Sequence, residues 1–463
     1  HQFLSNVTWS LAHLYAGDSE LLALLASLSS QYMDGFKPFE LSMLLWGFAK
    51  LNVAGSISVT MQGLFQAASG RIVANLGQFS FRSLAMITWA FATARQRDSR
   101  LFSGLASEMR RTARTANCQE IGNTVWAFAS AAHRDRKLLT SMAQAAVPLM
   151  SSFKAQEISN MLWGFATLGY WNEEVFLMSI QAAMGMDLGS QHLAIILWSC
   201  AKVMPKHNAM EGLVIRFAPL CTMRLGTFKI QEVSSTVQAL AKVLLPDRDE
   251  APPLAIWGGK APLHEEVLVL LEALAEWVAV NGQSFTSCAF TSAVSSLILL
   301  GDRAERRMDL VLEQGVVLRG LCFAPAERIV LLQAFLTSPW IARGAIAVLA
   351  AGLSTTVDSL PQRDLQALVQ LYQAVGNRPG TSVDPSQQEL SSWCLALAAG
   401  LPFPAVSDGL DEPEAVQDIP EAPSMSDSSS VTSLLEDGHV GGSEHGIPTA
   451  ESLPFHDWRP VHC

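Results

Sequence analysis

The sequence has few charged residues and no long apolar run, and both absences narrow the class of protein. Charged residues make up 16% of the 463 residues, whereas apolar residues make up 49%, so most of the chain can bury a core. No uninterrupted apolar stretch reaches the roughly 18 residues that a membrane-spanning helix needs, and no membrane span is predicted. The seven cysteines are scattered without a CxxC pair, which disfavours a disulfide framework or zinc ribbon and favours a reducing compartment.

Signatures of common catalytic sites are also missing. The chain contains no GxxxxGK[ST], HExxH or GxSxG motif, and the histidines of its first 400 residues are isolated. His456, His462 and Cys463 stand close together near the end of the chain, but a tail without fixed geometry is a poor metal site. We therefore expect no enzymatic activity, no catalytic residue, no metal and no cofactor.

The net charge of −11 comes from one end of the chain. Residues 401–463 carry twelve acidic residues and a single basic one, Arg459, whereas residues 1–400 are balanced. Within that balanced part, residues 51–150 contain eleven Lys and Arg against four Asp and Glu. A neutral body with one basic segment favours a polyanionic partner. The tail, rich in Pro, Ser, Asp, Glu and Gly, is predicted to be disordered.

A four-residue phrase recurs through the first half of the chain: Trp, a small residue, usually a bulky apolar residue, then Ala. Its tryptophans, which we call the repeat tryptophans, are Trp9, Trp46, Trp89, Trp126, Trp163 and Trp198, at spacings of 37, 43, 37, 37 and 35. Half of the twelve tryptophans stand in this phrase. Self-similarity at such a period is typical of a repeat protein.

The period persists after the tryptophan is lost. Phe228 to Gln238 aligns with Phe153 to Trp163, and the same frame continues at Ser295, Gln333 and Gln370. We therefore predict Trp-containing repeats over residues 1–205, degenerate repeats over 206–400 with an insertion at 246–262, and the disordered acidic tail over 401–463.

Each unit has the pattern of two helices. In the unit of the fifth repeat tryptophan, Ile158, Leu162, Phe165 and Leu168 follow the spacing of one helix face, and Gly169 follows as a helix C-terminal signal. A second apolar segment comes next. Helix pairs with this period cannot bury their faces alone, so the sequence predicts an all-α fold, an α-solenoid of about ten antiparallel helix pairs.

The phrases Glu157-Ile-Ser-Asn-Met-Leu-Trp-Gly-Phe-Ala-Thr-Leu168 and Glu120-Ile-Gly-Asn-Thr-Val-Trp-Ala-Phe-Ala129 resemble those of the octotricopeptide and heptatricopeptide repeat families, which are organellar RNA-binding α-solenoids. The resemblance is good before residue 205 and limited to spacing and apolar pattern after 260. It implies a role in RNA stability, processing, translation or ribosome assembly, in a mitochondrion or plastid. The implied partners are single-stranded RNA and other proteins of an organellar RNA or ribosome complex.

An α-solenoid of the armadillo or HEAT type is the alternative. Those repeats are longer and lack the Trp phrase, and they would indicate a cytoplasmic or organellar scaffold that binds proteins. Basic residues on the concave face would favour RNA, and basic residues on a convex face with an apolar groove would favour protein. The repeated Trp and Phe are interpreted mainly as structural wedges between helices rather than platforms for stacked bases.

Two sets of residues are candidates for contact with RNA. The sequence predicts a stripe of cations, placed in equivalent turns and in one second helix, that could match phosphates. Its members are Arg95, Arg97, Arg100, Arg110, Arg111, Arg114, Arg134, Arg136 and Lys137. A solvated surface is the other interpretation of this stripe. The candidates for contact with bases are Asn123, Thr124, Ser159, Asn160, Ser234 and Ser235, because repeat proteins that read RNA use two or three positions per unit.

Overall fold

The structure is a computed structural model. It describes residues 1–16, 18–51, 59–245, 263–303, 308–319, 322–337 and 343–354. These residues form helices joined by short turns. The helices of the first half are α1 (Gln2–Leu14), α2 (Ser19–Gln31), α3 (Pro38–Leu51), α4 (Val59–Ala74), α5 (Phe81–Thr93), α6 (Ser99–Thr112), α7 (Cys118–Ser130), α8 (Arg136–Ala146), α9 (Ala155–Thr167) and α10 (Glu173–Met184). Those of the second half are α11 (Ser190–Val203), α12 (Ala209–Arg224), α13 (Ile230–Leu244), α14 (Glu265–Val280), α15 (Ser287–Arg303), α16 (Met308–Arg319), α17 (Pro325–Thr337) and α18 (Arg343–Ser354).

Successive helices form antiparallel pairs, and the pairs stack in two layers. Each odd-numbered helix packs against the next odd-numbered helix in what we call the odd layer, and the even-numbered helices form the even layer. The predicted α-solenoid is therefore confirmed, with nine pairs in the described part of the chain. The tenth predicted unit, the insertion at 246–262 and the acidic tail lie outside the described residues.

The acidic residue of the repeated phrase begins the odd helices. The backbone N–H of Lys154 donates to the Glu157 carboxylate at 2.8 Å, and Lys229 donates to Glu232 at 3.0 Å in the same way. At α7 the cap is reciprocal, because the N–H of Glu120 also donates to the Asn117 side chain. These bonds satisfy N–H groups that the first turn of a helix leaves unpaired. Glu in the phrase is thus a helix-start signal.

Four odd helices, α1, α5, α7 and α9, end in a common way, six residues after the repeat tryptophan. Tyr15, Arg95, Ala132 and Gly169 all have φ between 50° and 63°, the left-handed conformation that closes many helices. Gly169 adopts it without cost, whereas the other three side chains adopt it against their preference. The predicted helix end at Gly169 is therefore found. The turns after α1, α5 and α7 have the same shape without glycine.

Phenylalanines from the repeated phrase fill the space between the two layers. Phe91 and Phe128 are at most 1% exposed, and each meets a ring from the even helix of a unit. Phe65 lies 5.0 Å from Phe91 and Phe102 lies 5.3 Å from Phe128, both edge to face. Buried aromatic pairs of this geometry add to the free energy of burial. The interpretation of the repeated Phe as a structural wedge agrees with this packing.

The odd helices approach each other closely where the phrase contains glycine. A Cβ atom on Gly164 would lie 2.6 Å from the carbonyl oxygen of Val125, and one on Gly122 would lie 2.9 Å from that of Glu157. The atoms in the way belong to backbone, which cannot move aside as a flexible side chain can. The small residue of the phrase is therefore required by contact between α7 and α9.

Replacing Gly164 by Ala should destabilise the protein, because the added methyl group has no space against α7. We expect a loss of about 1–3 kcal/mol in the free energy of unfolding, as for other overpacked sites. Urea denaturation measures it. Gly70→Ala is the matched control: a Cβ at Gly70 in α4 would meet no atom within 4 Å, and alanine should stabilise that helix by about 0.5–1 kcal/mol. Equal effects of the two substitutions would contradict this account.

Candidate functional site

Four of the repeat tryptophans, Trp46, Trp89, Trp126 and Trp163, form a ladder across the outer surface of the odd layer. Ring centroids are 6.2 Å apart between Trp46 and Trp89, and 6.4 Å apart both between Trp89 and Trp126 and between Trp126 and Trp163. Trp46 and Trp163 are only 7% and 6% exposed. The rings therefore pack mainly against one another across neighbouring helices.

The spacing of this tryptophan ladder leaves no slot for a base. A base held between two rings would need about 6.8 Å between them, twice the roughly 3.4 Å rise of stacked bases. The rings are tilted by 29° to 34° and their centroids are closer than that. The tryptophans thus join neighbouring helices, in agreement with the structural interpretation of the phrase.

A chain of amide side chains runs beside the ladder. The Gln156 amide donates to the Asn160 side-chain oxygen at 3.0 Å, and the Asn160 amide donates to Asn123 at 3.4 Å. Asn123 is half-buried, whereas Asn160 is 6% exposed. The structure therefore brings two candidate base contacts from neighbouring units together. Asn123 and Asn160 both stand three residues before a repeat tryptophan, and Gln156 stands seven before one, so all three lie on the outer face with the tryptophans. The sequence interpretation missed Gln156.

Four of the six candidates for base contact are buried, which corrects the sequence prediction: Asn160, and with it Thr124, Ser159 and Ser235. Thr124 and Ser159 are 0% exposed and Ser235 is 2% exposed. The hydroxyl of Ser159 donates to its own helix at Ala155, and that of Ser235 donates at Gln231. These side chains face the neighbouring helices, so they cannot reach a base in this conformation. Ser234 is half-buried on α13, and its hydroxyl also donates to its own helix, at Ile230.

Six of the nine predicted cations lie together at one edge of the solenoid, where odd helices connect to even ones. We call it the turn edge; its exposed basic residues are Arg95, Arg97, Arg100, Arg134, Arg136 and Lys137. Turns of consecutive units touch there, since the Arg134 guanidinium donates to the carbonyl oxygen of Gly169 at 3.3 Å. The turn after α7 and the turn after α9 are thus adjacent along this edge.

The two acidic residues of this edge cap helices. The Asp98 carboxylate accepts from the N–H groups of Arg100 and Leu101, both at 3.0 Å, and from the Ser69 hydroxyl. Asp135 caps α8 in the same manner. Burial alone would raise the pKa of Asp98, but these hydrogen bonds outweigh it and hold the pKa below its ordinary value. Both carboxylates are thus directed into the helix ends, beneath the exposed cations.

The remaining three cations do not continue the stripe, which is a second correction. Arg110 is half-buried and pairs with Asp135 at 3.4 Å, and Arg111 pairs with Glu108 in its own helix. Arg114 lies outside α6, in the short 3-10 helix Ala113–Thr115 that follows it, a helix length away from the turn edge. The prediction from the i, i+1, i+4 spacing took account neither of the end of α6 nor of these ion pairs.

The described part of the chain shows no metal centre, and two of its cysteines are buried. It contains no group of three or more His, Cys, Asp and Glu side chains arranged to hold a metal ion. Burial raises the pKa of the Cys200 thiol strongly and that of Cys221 to about 12, so neither is a thiolate near neutral pH. None of the described helices has the length and apolar character needed to cross a membrane.

The structure thus defines a class: an α-helical repeat protein with a basic turn edge and a ladder of aromatic and amide side chains. In a comparison with protein families, residues 55–248 match the family described as RNA-editing substrate-binding complex 6 protein. The matched region includes helices α4 to α13 and the whole turn edge. This match supports a helical, RNA-associated family, but it does not indicate octotricopeptide or heptatricopeptide repeats in particular. No curated protein gives a significant match.

Asp98 should make the stability of this edge dependent on pH. The Asp98 carboxylate has a lower pKa in the folded protein than in the unfolded chain. Its contribution to the free energy of unfolding is therefore complete above the unfolded pKa of about 3.9 and is lost as pH falls through the lower folded pKa. We expect Asp98→Asn to be less stable than wild type at pH 7, and the difference to vanish in acid. Urea denaturation from pH 7 to pH 2.5 measures it. Glu174→Gln, which removes an exposed carboxylate from α10, should show a smaller change, and an equal one would contradict the role of Asp98.

Proposed function

We propose that this protein is a non-enzymatic helical-repeat subunit of an RNA-processing assembly and that it binds single-stranded RNA along the turn edge. The observation that carries the proposal is the cluster of six exposed cations in the consecutive turns after α5 and α7, above carboxylates already bonded to helix ends. Cations in such a row neutralise phosphates and release counterions, which gives affinity that does not depend on sequence.

The family match supports this function from a separate direction. The matched residues 55–248 include the turn edge, the amide chain and most of the tryptophan ladder. The description of that family joins RNA editing with the binding of its substrate. A role in which this chain holds RNA for other subunits fits a solenoid that offers long surfaces. An organelle, mitochondrion or plastid, is the proposed location, on the resemblance of the repeated phrases.

Protein partners are proposed as well, on a different surface. Helices α14 and α16 expose large apolar side chains from the even layer: Val269, Val280, Leu310, Val311 and Leu318 are between 37% and 82% exposed. Exposed apolar side chains on two packed helices are typical of protein interfaces. The two functions are compatible, because the apolar side chains and the basic turn edge belong to opposite halves of the solenoid.

Removing charge from the turn edge should weaken RNA binding and its dependence on salt. We expect the triple variant Arg97→Gln, Arg136→Gln and Lys137→Gln to bind all single-stranded RNA sequences less tightly. The slope of log K against log salt should become less negative by roughly 2, at about 0.7 for each phosphate that is no longer neutralised. Fluorescence anisotropy of labelled RNA from 50 to 300 mM salt measures both quantities. Gln keeps the helix propensity of these positions.

The matched control removes three charges elsewhere: Arg111→Gln, Arg114→Gln and Lys154→Gln lie away from the turn edge. This variant should keep the wild-type slope. Equal slopes for the turn-edge variant and wild type would refute phosphate contact there. If the intact protein binds no RNA at low salt but still associates with other proteins after ribonuclease treatment, the scaffold function of armadillo or HEAT type would replace the present proposal.

Base selectivity is proposed for the outer face of the odd layer. Asn123→Ala should change the preferred RNA sequence and leave the salt slope unaltered, because base contacts specify and phosphate contacts position. Selection from a random RNA pool followed by sequencing measures the preference. Thr124→Val alters the adjacent but fully buried residue and should leave the preference unchanged. A preference that shifts with Thr124→Val and not with Asn123→Ala would be inconsistent with this assignment.

A further inference from the structure

A second group of cations lies on the same side of the solenoid, beyond the basic segment that the sequence indicated. Lys202 and Lys242 occupy equivalent positions in α11 and α13, four residues after Trp198 and Gln238. Both are exposed, and neither forms an ion pair with any described residue. The stem of Lys202 is partly covered, and this partial desolvation and the charge of Lys242 both lower the pKa of Lys202. Two like charges therefore face the same solvent in neighbouring units.

A third ammonium group is fixed beside them by the turn before α12. Lys206 donates to the carbonyl oxygen of Lys242 at 3.2 Å and also to that of Leu245. A cation is stabilising at the C-terminal end of a helix, and Lys206 fills that role for α13. Lys202 is held differently, with its Nζ atom 4.6 Å from the Trp198 ring centroid. Capping of α13 thus accounts for Lys206, whereas the contact of Lys202 with the Trp198 ring leaves its charge unneutralised.

The group lies in the same row of turns as the turn edge and is separated from it by the turn after α9. Arg134, in the turn after α7, contacts Gly169 in the turn after α9. In that second turn the Trp171 ring lies 6.2 Å from the ring of His207, which belongs to the turn after α11. Glu173 is the acidic residue in this stretch that contacts the next unit, and it faces His207 at 3.4 Å. Cations consequently follow the ends of the odd helices from α5 to α13, with one gap at the turn after α9.

We propose that Lys202 and Lys242 bind phosphates of the same RNA strand that contacts the turn edge, so that the strand crosses the units from α5 to α13. This inference rests on the proposed function. The repulsion between the two ammonium groups is relieved when an anion lies between them, which favours a polyanion over an apolar partner. Four helix-to-helix steps separate α5 from α13, or roughly 32–40 Å at about 8–10 Å for each step.

The length of RNA needed for full affinity tests the inference. The affinities of uridylate oligonucleotides of about 5 and about 20 nucleotides are compared, because at the roughly 3.4 Å rise of a stacked strand only the longer one spans both cation groups. We expect the variant Lys202→Gln with Lys242→Gln to bind the long strand on the order of tenfold more weakly than wild type, with a much smaller change for the short strand. The turn-edge variant should weaken both.

Lys154→Gln with Lys229→Gln is the matched control, since it removes two exposed charges from the opposite ends of the odd helices. This control should retain the wild-type dependence on length. An unchanged thermal unfolding midpoint for Lys202→Gln with Lys242→Gln shows that the fold is intact. Wild-type affinity of that variant for the long strand, or an equal loss for both strands, would overturn the inference while the proposed function stands. No binding of either strand by wild type would refute the proposed function itself.

Discussion

Close contact between neighbouring odd helices is the constraint on which the rest of the structure depends. Glycine in the repeated phrase lets the backbones of α7 and α9 meet, with the Cα position of Gly164 pressed against Val125. This approach sets the distance between units. The tryptophans, which stand next to these small residues, then meet at 6.2 to 6.4 Å from helix to helix. One steric requirement thus determines both the stacking of the units and the regularity of their outer surface.

The same spacing decides what the outer surface can bind. Rings this close exclude an inserted base, so the tryptophan ladder is a joint between helices. The amide groups beside it are brought within bonding distance of the next unit, as Asn160 and Asn123 show. An RNA strand with one base per unit would have to be unstacked, because the distance between packed helices, about 8–10 Å, exceeds the roughly 3.4 Å rise of stacked bases. Unstacked bases are the form in which single-stranded RNA is read by proteins.

Charge is arranged at the ends of the helices. Carboxylates begin helices in both layers, as Glu157 and Asp98 do, and their bonds to backbone N–H groups direct them inward. Cations remain exposed where odd helices end, and some of them, such as Arg134 and Lys206, also satisfy carbonyl groups of the next unit. Helix capping therefore separates the signs of charge, and the exposed turn edge is positive although the whole chain carries a net charge of −11.

The sequence by itself determined the repeat, the helix pairs and the helix ends, because these depend on local signals: the apolar spacing around Trp163, the capping Glu157 and Gly169 at the turn. It also indicated which segment is basic. It could not distinguish Asn123 from Thr124, since adjacent residues of a helix differ in exposure only once the next helix is in place. It could not show that Arg110 pairs with Asp135 or that Lys202 lies near Lys242. Those partners are 25 and 40 residues apart in the sequence, and only the stacking of units brings them together.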